Sequence, residues 1–117
     1  MSCLFDTLSV HVGLGSNELR QKICDYLEEN PNLFEDISTE EYVKWVGEGY
    51  PNLKSYIMKM RNRSTWGGAI EIKAFCNMFN VNVNVNEKRG KNNKIEFVVD
   101  KDTNELTINW NGGHYYN

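Results

Sequence analysis

No run of about 18 consecutive apolar residues occurs in this 117-residue chain, so none of it reads as a membrane-spanning helix. Positive charge is not in excess either. Thirteen Lys and Arg stand against 16 Asp and Glu, a net charge of −3, which gives no case for a nucleic-acid partner. The N-terminus has no basic n-region and no apolar h-region, so a signal peptide is not expected. Cysteine is scarce. Cys3, Cys24 and Cys76 are odd in number and widely spaced, which suits neither a disulfide framework nor a zinc site. A reducing, cytoplasmic compartment fits that usage. Nothing resembles a phosphate-binding loop, a metal site, an internal repeat or an interdomain linker, and no cofactor is expected. The remaining composition, 40% hydrophobic and 25% charged, is ordinary for a globular domain. The length predicts one domain over residues 1–117 with a single core, and a monomer is the default expectation.

The N-terminal two-thirds carries helical periodicity. Leu4 and Leu8 share a face of a short first helix opening near Cys3. Ser16 can cap a second helix striped by Leu19, Ile23, Tyr26 and Leu27, and Pro31 ends it. Ser38 and Glu41 have capping-box spacing ahead of Tyr42, Val43 and Val46. Leu53, Ile57 and Met60 mark a fourth helix after Pro51. Gly67-Gly68 breaks the chain before a fifth, marked by Ile72, Phe75, Cys76 and Phe79. From Val81 the period becomes two. Val81, Val83 and Val85 alternate with asparagines, followed by strands with Ile95, Phe97 and Val99, then Leu106, Ile108 and Trp110. Helices first and strands later predict an α+β domain whose helices pack on a small, mainly antiparallel sheet.

Two residues at opposite ends can carry chemistry. A cysteine opening a helix meets unpaired backbone N–H groups that favour the thiolate and can stabilise an oxyanion. Cys3 takes that position if the first helix begins there. His114 follows Gly112-Gly113, just beyond the third strand. Beside a thiolate it would serve as base and then as acid to the leaving amine. Alone, each residue is ordinarily structural. Cys24 and Cys76 fall on apolar stripes and read as buried thiols. His11 reads as a residue at the end of the first helix, and Asp6 as solvated or capping. Lys88, Arg89, Lys91 and Lys94 form a basic hairpin tip. Glu35, Asp36, Glu40 and Glu41 are acidic loop and cap residues. Each of these clusters could alternatively touch a partner protein.

The motifs together resemble the ovarian-tumour (OTU) family of cysteine proteases. Cys3-Leu4-Phe5-Asp6-Thr7-Leu8-Ser9 is similar to the family's nucleophile run. Leu19-Arg20 and Asn30-Pro31 with Phe34 resemble its next helix and exit. Thr65-Trp66-Gly67-Gly68 with Glu71 resembles its Trp-Gly-Gly box, and Ile108 through Asn117 its closing strand and His-Tyr-Asn segment. The resemblance implies a papain-like fold, a Cys3 nucleophile and a His114 base. It also implies cleavage after the C-terminal Gly-Gly of ubiquitin, with ubiquitin, polyubiquitin chains or ubiquitylated proteins as partners, and ubiquitin-like modifiers as further substrates. Trp66, Gly67, Gly68 and Gly113 are carried over as lining of the substrate channel. Two departures stand out. The Asp that family members place three residues before the cysteine has no counterpart ahead of Met1. The orienting Asp or Asn two residues after the histidine is replaced by Tyr116, and Asn117, one place further on, is the candidate third catalytic residue, the alternatives being a Cys–His dyad or a polar residue elsewhere. Two alternatives follow: a viral polyprotein-processing protease acting in the host cytosol with secondary deubiquitinase activity, and a catalytically degenerate ubiquitin-binding module.

Overall fold

The computed structural model describes residues 3–30, 38–46, 52–88 and 93–117. Pro31, Phe34, Glu35, Asp36, Pro51, Arg89 and Lys91 lie outside the described residues. Among the described residues five helices precede four strands: α1 (Cys3–Ser9), α2 (Ser16–Glu29), α3 (Thr39–Val46), α4 (Leu53–Met60), α5 (Ala69–Phe79), β1 (Asn82–Glu87), β2 (Lys94–Phe97), β3 (Glu105–Trp110) and β4 (Tyr115–Tyr116). This is an α+β fold, as the order of periodicities predicts.

The helices form where the apolar stripes lie. Leu4 and Leu8 of α1, Leu19, Ile23 and Leu27 of α2, Val43 of α3, Ile57 and Met60 of α4, and Ile72 and Phe75 of α5 are all buried in one core. The Ser38 hydroxyl accepts from the Glu41 N–H at 3.2 Å and opens α3, as its spacing predicts. Asn52 does the same for α4, accepting from the Ser55 N–H at 2.8 Å. Ser16 differs from expectation. Gly15 is the N-cap, so Ser16 is already the first helical residue, and its hydroxyl is buried without a hydrogen-bond partner.

The sheet order is β2-β1-β3-β4. The outer pairs β1–β2 and β3–β4 are antiparallel, whereas the central pair β1–β3 is parallel, with Val83 opposite Leu106 and Val85 opposite Ile108. Val83, Val85 and Ile108 are buried in the core that α5 shares. The predicted second strand is shorter than its apolar pattern, because β2 stops at Phe97 and Val99 lies beyond it. Asn82 is the cause. Its side-chain oxygen accepts from the Val99 and Asp100 N–H groups at 2.8 and 3.4 Å, and its nitrogen donates to the Asp100 and Thr103 carbonyls at 2.8 and 3.4 Å. The chain therefore wraps around that amide and enters β3 parallel to β1 instead of pairing β3 with β2. Asn82 and Asn84 are buried at 5% and 3% exposure, so the asparagine face of β1 is covered and not solvated.

Candidate active site

Cys3 is the first residue of α1 and is partly exposed. The Thr7 hydroxyl, one turn on, donates to the Cys3 carbonyl at 2.7 Å. Leu4 and Phe5 anchor the helix from below, at 1% and 0% exposure. The thiol therefore sits at the surface end of a helix whose inner face is fixed in the core.

His114 is set by a tight turn between β3 and β4. The Asn111 side-chain oxygen accepts from the N–H groups of Gly113 and His114 at 2.9 and 2.8 Å. The Asn111 N–H in turn donates to the His114 carbonyl at 3.1 Å. Gly112 has φ +98°, a left-handed conformation that favours glycine at this point. An asparagine before Gly-Gly is a turn signal in the sequence, so Asn111 was available there as the residue that aims His114.

Three contacts bring the two ends of the chain together. First, β4 packs against α1. Tyr115, next to His114, has its hydroxyl pushed up to about 12, mainly by burial and further by the negative charges of Glu71 and Cys3. Second, the Trp66 ring lies 6.1 Å from the His114 ring and is 54% exposed, which makes it a surface neighbour of the histidine. Third, Gly67 abuts α1. A Cβ there would stand 2.8 Å from Leu4 Cδ2 and 3.0 Å from the Phe5 ring. The Trp66-Gly67 pair thus spans from the histidine to the residues just after the cysteine.

The same segment is held from beneath. Gly68 N-caps α5 and donates its N–H to Glu71 Oε1 at 2.7 Å, and Glu71 is fully buried. The buried Arg20 guanidinium lies 4.2 Å over the Phe5 ring and donates to the Met60 carbonyl at 2.7 Å, joining α2, α4 and α1. Sequence periodicity alone does not single out Arg20 or Glu71 as core residues, since charged side chains ordinarily mark the solvent face.

Of the predicted site residues, Trp66 reaches His114, and Gly68 and Gly113 have room beside them. The side of Gly67 where a Cβ would stand is turned toward α1 and closely packed against Leu4 and Phe5. Asn117 makes its hydrogen bonds on the α1 side. Its Oδ1 is 2.7 Å from His11 Nε2, and its Nδ2 donates to the Thr7 carbonyl at 3.3 Å. Positions three apart on extended backbone face opposite sides, and Asn117 takes the side of Tyr115, toward α1. The Asn117 amide, the candidate to orient His114, is hydrogen-bonded to His11. Cys24 and Cys76 are buried, and burial pushes their thiols up to about 12 and about 11. Among the described residues, no cluster of His, Cys, Asp and Glu could hold a metal ion.

A cysteine opening a core-anchored helix, packed against the strand that follows a histidine, defines a papain-like arrangement on an α+β frame. The chain belongs to the family of OTU-like cysteine proteases, whose model matches residues 2–116. It is 35% identical over 95 residues to the ubiquitin thioesterase otu2 of Schizosaccharomyces pombe, covering 76% of this chain and 30% of that relative. An OTU domain solved in complex with ubiquitin superposes with a TM-score of 0.73 at 24% identity, over 97% of this chain and 61% of that one. The viral OTU protease of Qalyub virus gives 0.71 at 12% identity, over 97% and 74%. These structures share the fold. The chain spans under a third of the curated relative's length.

Proposed function

We propose that this chain is a thiol-dependent deubiquitinase that hydrolyses the bond after the C-terminal Gly-Gly of ubiquitin, with Cys3 as nucleophile and His114 as general base and acid. One observation carries the reading. The Trp66-Gly67 segment touches both His114 and the start of α1, while β4 packs on α1, which supports reading cysteine and histidine as one site. The ubiquitin thioesterase relative and the ubiquitin-bound OTU structure supply the substrate class.

In this reading Cys3 Sγ attacks the carbonyl carbon of ubiquitin's last glycine, and His114 holds the thiol proton. Backbone N–H groups at the start of α1 face the oxyanion. The tetrahedral intermediate collapses, the C–N bond breaks, and His114 gives the proton to the departing amine. Water then attacks the thioester with its proton taken by His114, releasing ubiquitin's carboxylate and the thiol. Trp66, Gly68 and Gly113 line the path of the two glycines, where larger side chains would not pass.

The test is hydrolysis of ubiquitin carrying a C-terminal fluorogenic amide. The wild type turns it over, and Cys3→Ala and His114→Ala do not. A catalytically degenerate ubiquitin-binding module is the second reading, favoured by the engagement of Asn117 with His11. It requires a wild type that binds ubiquitin with no turnover.

A further inference from the structure

β4 is a strand of two residues, paired to β3 only through Asn109–Tyr116 and Trp110–Tyr115. So short a ladder holds its own position weakly. Yet the histidine at its start must keep a fixed distance from a cysteine on α1. The Asn111 turn fixes one end of this segment. The other end is fixed by side chains. Asn117 Nδ2 donates to the Thr7 carbonyl at 3.3 Å, and Asn117 Oδ1 lies 2.7 Å from His11 Nε2. With its nitrogen donating to Thr7, the Asn117 amide presents its oxygen as acceptor, so His11 donates through an Nε2–H. Thr7 is also the residue whose hydroxyl holds the Cys3 carbonyl at 2.7 Å. Hydrogen bonds therefore tie His11 to Asn117 and Asn117 to the Thr7 carbonyl, and the hydroxyl of the same Thr7 holds the backbone carbonyl of Cys3.

We propose that His11 is a positioning residue for the Cys3–His114 pair: through Asn117 it clasps the strand that follows His114 onto the helix that carries Cys3. The proposal rests on the reading of those two residues given above. His11 lies on the surface at the turn after α1, so its imidazole acts only through Asn117. The clasp also gives the asparagine at position 117 a role without contact to His114. It predicts that a side-chain amide at position 11 can replace the imidazole, since a Gln Nε2 can make the same donation.

The test reads the cysteine–histidine pair without ubiquitin. Alkylation of Cys3 by iodoacetamide is followed by intact mass at neutral pH for wild type, His11→Ala, His11→Gln, Asn117→Ala, the His11→Ala/Asn117→Ala double variant and His114→Ala. kcat and KM are measured in parallel on the fluorogenic ubiquitin substrate, and thermal unfolding on every variant. We expect His11→Ala to lower kcat about tenfold, the worth of one hydrogen bond, with KM nearly unchanged. Alkylation should slow toward the His114→Ala rate. His11→Gln should recover most of the loss, and the double variant should be no worse than either single one. A fast wild type with an unchanged His11→Ala overturns the clasp alone. Equal losses in His11→Ala and His11→Gln, tracking a common fall in Tm, also overturn it. A wild type that alkylates no faster than His114→Ala removes the pair itself and the clasp with it.

Discussion

The Tyr56 hydroxyl donates to Glu71 Oε2 at 2.6 Å, inside the core and directly beneath the Trp66-Gly67-Gly68 segment. Burial pushes the Glu71 carboxyl up to about 7, against the pull of the Tyr56 and Gly68 hydrogen bonds. Between an ordinary carboxyl value and pH 7 the folded protein keeps this proton while the unfolded chain has released it. The folded state binds more protons there, so the contribution of Glu71 to stability falls as pH rises through that window. The loss is of order 3 kcal/mol in full and complete just above pH 7. Urea unfolding of wild type and Glu71→Gln at pH 5 and pH 8 checks it. The wild type should lose more stability over that interval than the variant, which has no ionisation at this site.

Gly67 and Gly68 are adjacent and should respond differently to alanine. Gly67→Ala places its Cβ against Leu4 and Phe5, both locked in the core, and should cost about 1–3 kcal/mol. Nothing lies within 4 Å of a Cβ at Gly68. Gly68→Ala meets no steric clash and should cost only the weaker N-cap preference of alanine, about 1 kcal/mol or less in chemical denaturation. If Gly68 lines the ubiquitin tail's path, the same variant raises KM for the ubiquitin substrate.

Most of the secondary structure was legible because its causes are local. The stripes of Leu19, Ile23 and Leu27 or Ile72 and Phe75, and the Ser38–Glu41 spacing, are read within one or two helical turns. The parallel pairing of β1 with β3 was not, because it depends on the Asn82 amide capturing a segment 17 residues away. Cys3, Trp66 and His114 were legible as motif residues. The partner of Asn117 was not, since it is fixed by which side of β4 meets α1. Arg20 and Glu71 were invisible to periodicity because a charged residue enters a core only when tertiary partners satisfy it.

The three thiols should separate in reactivity. Cys24 and Cys76 are buried and held in the protonated form, whereas Cys3 is partly exposed. Iodoacetamide at neutral pH should add once to the native protein and at all three cysteines after denaturation, as read by intact mass.

Trp66 is a surface neighbour of His114, so its removal should act on substrate more than on stability. Trp66→Ala should leave the unfolding free energy within about 1 kcal/mol of wild type. It should raise KM for ubiquitin several-fold, measured in steady-state hydrolysis. A large loss of stability with unchanged KM would make Trp66 a packing residue.

The pairing of Cys3 with His114 is tested most directly by ubiquitin bearing a C-terminal electrophile, incubated with the protein under reducing conditions and read by intact mass. The account predicts one covalent ubiquitin adduct, mapped to Cys3, that is absent in Cys3→Ala and strongly slowed in His114→Ala. A wild type that forms no adduct, or an adduct that persists in Cys3→Ala, would contradict it.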